Sequence, residues 1–228
     1  TWKTTAGAAT YRVYRKGPGD TGWKIIARNA KGTSYKDTNV VSGAKYTYTV
    51  RGVASDGKTL SKSYNSSGVS AVVPPADVTL VGASAGVGGI TVTWKKAAGA
   101  AAYRVYRKEP GGDWTTIASK CSGTSYKDAA AEPGVKYIYT VRGLASDGKT
   151  RSSSYNPGVS AVMLPADVKG LDTIVDSSAI IITWEAAAGA ASYNVYRRTT
   201  DNTAWTLVGN KLTATRYRDT DITDGTVY

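Results

Sequence analysis

Short runs of alternating apolar and polar residues recur along the whole chain and predict β-strands. Within residues 46–51, Tyr46, Tyr48 and Val50 alternate with polar residues, which is typical of a strand with one buried and one solvated face. Turn signals such as Asp56-Gly57 separate the runs, and this one predicts a hairpin. The Ala-Gly runs at 97–102 and 186–191 are too short and too rich in glycine for stable helices. The pattern therefore predicts an all-β protein.

One strand motif, Tyr-x-Val-Tyr-Arg, occurs three times, beginning at Tyr11, Tyr103 and Tyr193. A tryptophan follows each copy at intervals of 91 residues, at Trp23, Trp114 and Trp205. A repeat of about 90 residues is too long for helical pairs or leucine-rich repeats and matches one small β-domain. The sequence therefore predicts a tandem array of β-domains.

The repeat divides the chain into three units, which we place at residues 1–74, 75–164 and 165–228. We expect the first unit to lack its first strand and most of its second, the second to be complete, and the third to lack its last two strands. Two explanations are open for the incomplete units: they belong to a longer protein, or neighbouring chains complete each other by strand exchange. Between the last strand of the second unit and the first strand of the third stand only Leu164, Pro165 and Ala166, and such a linker favours a semi-rigid rod.

Three features together resemble fibronectin type III domains: the second-strand tryptophan, the Tyr-x-Val-Tyr-Arg strand, and a Gly-x-x-Tyr-x-Tyr-x-Val entry to the sixth strand. The resemblance covers the whole chain and is closest to bacterial domains on surface proteins and in secreted polysaccharide-degrading enzymes. It implies tandem immunoglobulin-like β-sandwiches, with a seven-strand Greek key in each complete unit. It also implies three core tryptophans and three tyrosine-corner residues: Trp2, Trp94, Trp184, Tyr46, Tyr137 and Tyr228. The integrin-type Arg-Gly-Asp of the family is absent, because Val53 and Leu144 follow the two Arg-Gly pairs.

The net charge of +12 falls along the chain, from +9 in the first unit to +5 in the second and −2 in the third. The basic residues are spread along strands at alternate positions, as on a solvated face, and this disfavours a nucleic-acid partner. No apolar run approaches the ~18–20 residues of a membrane span, so we expect none in this segment.

The residues of common catalytic and metal sites are scarce. The chain has no histidine, and its single cysteine, Cys121, permits neither an intrachain disulfide nor a Cys/His metal cluster. Residues 219–225 resemble a calcium loop, but a threonine replaces the third ligand and the glycine falls one position late. We therefore expect neither an enzyme nor a bound cofactor.

The remaining candidate site is a set of aromatic and arginine side chains on the outward face of the sheet. These residues fit a sugar-stacking platform, or a structural ladder in which arginines cover the rings. Recurrence in every unit favours the ladder. The candidate residues are Tyr14, Trp23, Arg51, Tyr106, Trp114, Arg142, Tyr196 and Trp205.

The sequence thus favours a non-enzymatic spacer in a bacterial cell-surface or secreted protein, located outside the cell. Its expected partners are neighbouring domains of the same longer chain. The alternatives are an adhesion or binding module for polysaccharide, a host surface protein or like subunits, and an accessory segment of a carbohydrate-active enzyme.

Overall fold

The computed structural model describes all 228 residues and contains sixteen β-strands and no α-helix. No helix that could cross a membrane is therefore present. The all-β prediction is confirmed.

The first unit is a single four-stranded antiparallel sheet in the order β2-β1-β3-β4. Its strands are β1 (Thr10–Lys16), β2 (Lys24–Ala30), β3 (Lys45–Val53) and β4 (Val69–Val72). Residues 34–37 are irregular, although their counterparts in the other two units are strands. The reason is that the neighbouring strand that would pair with them is reduced to a few residues around Trp2.

The second unit is a sandwich of a three-stranded sheet, β5-β6-β9, and a four-stranded sheet, β11-β10-β7-β8. This strand order is that of a fibronectin type III domain, so the resemblance in sequence is confirmed at the level of the fold. The strands are β5 (Leu80–Gly86), β6 (Gly89–Trp94), β7 (Ala102–Lys108), β8 (Thr115–Cys121), β9 (Ser125–Asp128), β10 (Lys136–Leu144) and β11 (Val159–Val162).

The core of the second unit lies between its two sheets. Ile90, Val92 and Trp94 of β6 face Val105 of β7 and Val141 of β10, and all five are almost fully buried. These residues stand at alternate positions of their strands, as the period-2 pattern requires.

The third unit contains a three-stranded sheet, β12-β13-β16, and a separate pair, β14-β15. Its strands are β12 (Asp172–Asp176), β13 (Ala179–Thr183), β14 (Tyr193–Arg197), β15 (Thr206–Leu212) and β16 (Arg216–Asp219). A cavity of about 1270 Å³ lies between them, lined by Ile180, Ile182 and Trp184 on one side and Tyr193 and Val195 on the other. In the second unit β10 and β11 fill the corresponding space.

The hairpin predicted at Asp56-Gly57 is present but very short. The turn forms, with Asp56 Oδ1 accepting hydrogen bonds of 2.9 Å from the N–H groups of Lys58 and Thr59. It closes only an isolated bridge between Val53 and Leu60, and the strand that pairs with β3 begins much later, at Val69. The hairpin is held by hydrogen bonds from the Ala54 N–H to Thr59 at 2.9 Å and from the Ser61 N–H to Gly52 at 2.8 Å, and an irregular segment then leads to β4.

The three units share little surface. The chain exposes 14073 Å², whereas a compact monomer of 23.9 kDa exposes about 9,900 Å² by the usual scaling of surface with mass. Extensive packing between strands occurs only within single units. The chain is therefore an array of separate cores, two of which are open on one side.

Candidate functional site: the outer face of the four-stranded sheet

The three tryptophans of the candidate face precede β2, β8 and β15, and a cation lies over each indole, although Trp205 remains 61% exposed. Lys16 Nζ lies 5.0 Å from the ring centre of Trp23, and Lys108 Nζ lies 5.1 Å from that of Trp114. In the third unit the guanidinium of Arg198 lies 4.7 Å from the ring centre of Trp205. Each cation is the residue that directly follows the Tyr-x-Val-Tyr-Arg motif, so the sequence repeat positions it.

The indoles of the first two units reach the backbone segment that leads into the last strand of the unit. A Cβ atom built at Gly68 would lie 2.7 Å from Trp23 Cη2, and one at Gly158 would lie 3.5 Å from Trp114 Cη2. Each tryptophan thus extends over the glycine that precedes the last strand of its unit, and both are half-buried. A ring packed on the backbone below and covered by a lysine above has little free surface for a sugar.

Arg51 and Arg142 stack on tyrosines that the sequence did not single out. The guanidinium of Arg51 lies 5.1 Å from the ring centre of Tyr64, and that of Arg142 lies 4.6 Å from the ring centre of Tyr155. Arg142 Nε also donates a 2.9 Å hydrogen bond to the carbonyl of Ser152. These contacts fold the long loop before the last strand back onto the sheet, and Arg142 lowers the pKa of Tyr155 by hydrogen bonding to it.

Tyr106 lies beneath this loop and is only 5% exposed, although it projects from the outer face of β7. Its ring meets that of Tyr155 edge-on at 5.6 Å, and its hydroxyl accepts a 3.4 Å hydrogen bond from Arg151 Nη1. Tyr14 is half-buried, and Tyr196 in the third unit is 51% exposed. Tyr106 therefore lies on the outer side of β7, as alternation predicts, but the loop that follows β10 covers it and leaves little of its ring free.

The six residues that the resemblance assigned to the core and the tyrosine corner lie as follows. Trp94 and Trp184 are buried, and Trp2 is half-buried at the open edge of the first unit. Each packs on the first tyrosine of the strand motif, with ring centres 5.3 to 5.4 Å apart. The hydroxyls of Tyr46, Tyr137 and Tyr228 accept hydrogen bonds from backbone N–H groups five residues upstream.

A second recurring cluster, which the sequence reasoning missed, joins the two sheets in the second and third units and ties the irregular segment 34–37 to the sheet in the first. Arg107 Nη1 of β7 lies 2.9 Å from Asp128 Oδ2 at the end of β9, and the Tyr139 hydroxyl donates to the same oxygen at 2.9 Å. The guanidinium also lies 4.6 Å from the ring centre of Tyr137. The signal was present in the sequence, because the aspartates recur every 91 residues and the arginines every 92 and 90. The full set is Arg15, Asp37 and Tyr48; Arg107, Asp128 and Tyr139; Arg197 and Asp219.

The electrostatics of this cluster favour an ionised aspartate that accepts a hydrogen bond from a neutral tyrosine hydroxyl. Burial opposes ionisation of Asp37, but hydrogen bonds from Arg15 and Tyr48 outweigh it and lower its pKa. Burial, and then the bond to Asp37, raise the pKa of Tyr48 to about 12, and the same causes raise the pKa of Tyr139. The arrangement is suited to fastening one sheet to the other.

The carboxylates and the Cys121 thiol are side chains that could bind a metal ion or act as a nucleophile. No group of three or more Cys, Asp or Glu residues is arranged to hold a metal ion. Cys121 is half-buried, its thiol lies 3.4 Å from the carbonyl oxygen of Tyr103, and burial raises its pKa. The thiol is thus protonated near neutral pH and weakly nucleophilic.

The chain is similar to parts of known proteins. No protein-family model matches it. It is 30% identical over 105 residues to an amylopullulanase of Thermoanaerobacterium saccharolyticum, a match covering 44% of this chain and 8% of that protein. It is 26% identical over 196 residues to the receptor-type tyrosine-protein phosphatase eta of Gallus gallus, covering 85% of this chain and 13% of that protein. Among solved structures, a segment of two fibronectin type III domains from chicken tenascin aligns with a TM-score of 0.41 and 16% identity, covering 67% of this chain and 85% of that one. The chain spans about a tenth of the length of the curated relatives it matches.

Proposed function

We propose that this chain is a non-enzymatic spacer of a multidomain bacterial protein that acts at the cell surface or after secretion. In this role its units hold other domains of the same protein at a set distance. Both relatives support the proposal, since each is named for an activity and matches this chain over only a small part of its length.

The linkers between the units carry the proposal. At the first junction, Val73 donates a hydrogen bond of 2.9 Å to the carbonyl of Ala44 in the first unit. Only Pro74 and Pro75 separate it from Ala76, which donates at 2.9 Å to Ala98 in the second unit. A flexible tether needs several free residues, whereas here two prolines of fixed φ stand between anchored neighbours.

The second junction has the same construction. Met163 donates a hydrogen bond of 2.9 Å to Val135, and Ala166 donates one of 2.9 Å to Ala188 in the third unit. Leu164 and Pro165 are the residues between these anchors. Two equivalent, short junctions favour a semi-rigid rod in which the distance between the first and the third unit is fixed.

Insertion of a five-residue Gly/Ser segment between Pro74 and Pro75 tests the proposal. We expect the unmodified chain to scatter X-rays in solution as one extended particle and the insertion to behave as two bodies on a flexible tether. If both scatter alike, the linkers do not fix the units and the proposed role as a semi-rigid spacer fails.

The similarity to an amylopullulanase suggests polysaccharide binding as the alternative role. The contacts that cover Trp114 and Tyr106 argue against it. We expect no retention of the chain on insoluble starch or cellulose. Retention that is lost in Trp114→Ala, with the far-UV circular dichroism unchanged, would support the binding role instead.

A further inference from the structure

At each junction two glycine turns from neighbouring units touch through their backbones. One turn precedes the sixth strand of a unit and contains Gly43 or Gly134. The other joins the second and third strands of the following unit and contains Gly99 or Gly189. A Cβ built at Gly43 would lie 2.6 Å from Gly99 Cα, and one at Gly134 would lie 2.5 Å from Gly189 Cα.

A side chain is excluded on either of the two glycines that meet in each contact. A Cβ built at Gly99 would lie 2.5 Å from the backbone nitrogen of Gly43, and one built at Gly189 would clash with Pro133 and Gly134. The obstructing atoms are backbone, which cannot rotate away as the end of a long side chain can. Two main chains approach this closely only where neither residue carries a Cβ atom.

The turn conformation already favours glycine, and the close approach adds a second, steric constraint at the four glycines of the two junctions. All four have φ between +75° and +76°, which favours glycine in any surroundings. Gly7 and Gly225 occupy the same positions in the first and third units, with φ of +74° and +76°, but have no atom within 4 Å of a built Cβ. The close approach is therefore a separate requirement, found where two units meet.

We propose that these paired turns are a docking site between units, whose partner is another copy of the same repeat, and that the site fixes the angle between neighbours. The inference rests on the proposed spacer function and assigns its rigidity to named residues. A linker is a single point of attachment about which neighbouring units can rotate. The contact between the paired glycine turns is a second attachment, and it restricts that rotation. Each unit carries one turn at either end, so the contact is head-to-tail and propagates along an array.

Distances between spin labels on the first two units test the proposal. The labels are attached at Ser70→Cys in β4 and Ser160→Cys in β11, both exposed, in a Cys121→Ser background that removes the native thiol. Double electron–electron resonance then reports the width and mean of the distance distribution across the first junction.

Gly99→Ala and Gly43→Ala perturb the two sides of the contact. Each methyl group must move about 1 Å from the opposing backbone to reach van der Waals separation. We expect both variants to shift or broaden the distribution. Gly7→Ala is the matched control, because it places the same residue in the same turn at nearly the same φ but meets nothing, and it should leave the distribution as in the parent.

The outcomes separate the docking site from the spacer function. A narrow distribution in the parent that stays unchanged in both Gly99→Ala and Gly43→Ala overturns the docking site and leaves the spacer proposal standing. A distribution that is already broad in the parent contradicts the spacer proposal itself. A change in Gly7→Ala equal to that in Gly99→Ala would assign the effect to turn strain and overturn the docking site. Circular dichroism of each variant verifies that the units remain folded.

Discussion

Replacement of Asp128 by asparagine tests whether the ion pair between the sheets stabilises the second unit. The Asp128 side chain is 3% exposed and accepts hydrogen bonds from Arg107, from the Tyr139 hydroxyl and from the N–H of Ala130. Asparagine has nearly the same shape and retains one acceptor oxygen. It has no charge, however, so the guanidinium of Arg107 loses its counter-ion.

The expected loss follows from the burial of the two partners. Removal of one member of a buried ion pair costs about 3–5 kcal/mol, whereas an exposed pair contributes about 0–1 kcal/mol. The Arg107 side chain is 23% exposed, so water reaches it in part. We therefore expect Asp128→Asn to lower the free energy of unfolding of the second unit by about 3 kcal/mol, at the lower end of the buried range.

Native-state hydrogen exchange of the whole chain measures this loss unit by unit. The amides of β7 and β10 should lose protection in Asp128→Asn, while those of β1 and β3 act as an internal reference within the same molecule. Asp20→Asn is the control variant, because it removes the pair with Lys24, whose side chain is 67% exposed. We expect that control to leave the protection of the first unit's amides nearly unchanged, because an exposed pair is screened by solvent.

A second variant distinguishes the cost of leaving a cation unpaired from the cost of changing the packing. Arg107→Met, Asp128→Leu and Tyr139→Phe together replace the whole cluster by apolar side chains, so this triple variant should be more stable than Asp128→Asn, which leaves a cation unpaired. If Asp128→Asn costs less than about 1 kcal/mol, the cluster is no stronger than a surface pair and the reasoning from burial is refuted.

Two further predictions concern the core and alkaline pH. Trp94→Ala deletes a 3% exposed indole and should cost about 3–5 kcal/mol, lowering the melting temperature of the second unit by more than about 10 °C; an unchanged melting temperature contradicts its core position. Burial and the bond to Asp37 raise the pKa of Tyr48 from its ordinary value of 10 to about 12 in the folded chain, so its contribution to stability is complete below pH 10 and is lost as the pH rises to about 12. Urea unfolding of the chain and of Tyr48→Phe compares the two, and an equal alkaline loss in both contradicts the assignment.

Strand positions were largely predictable because alternation and the repeat act together. The alternation at 46–51 lies within β3, and the three copies of the Tyr-x-Val-Tyr-Arg motif lie in β1, β7 and β14. Residues 34–37 show the limit of the repeat as a guide, since a strand forms only where a partner strand is present to accept its hydrogen bonds.

The partners of the outer-face residues were not predictable from periodicity. Alternation assigns Tyr106 to the outer face but does not reveal that the loop containing Tyr155 returns to cover it. In the same way, Arg107 and Asp128 pair across different sheets, and the alternation within a strand does not link them. Each residue recurs in all three units, which shows that both matter to the repeat but does not show that they contact each other.

Small-angle X-ray scattering of the unmodified chain tests the claim of an ordered array most directly. We expect one conformation, the arrangement of the three units described above, to reproduce the whole scattering curve. A curve that requires a broad ensemble of angles between the units would contradict it, because short anchored linkers and paired glycine turns do not permit such freedom.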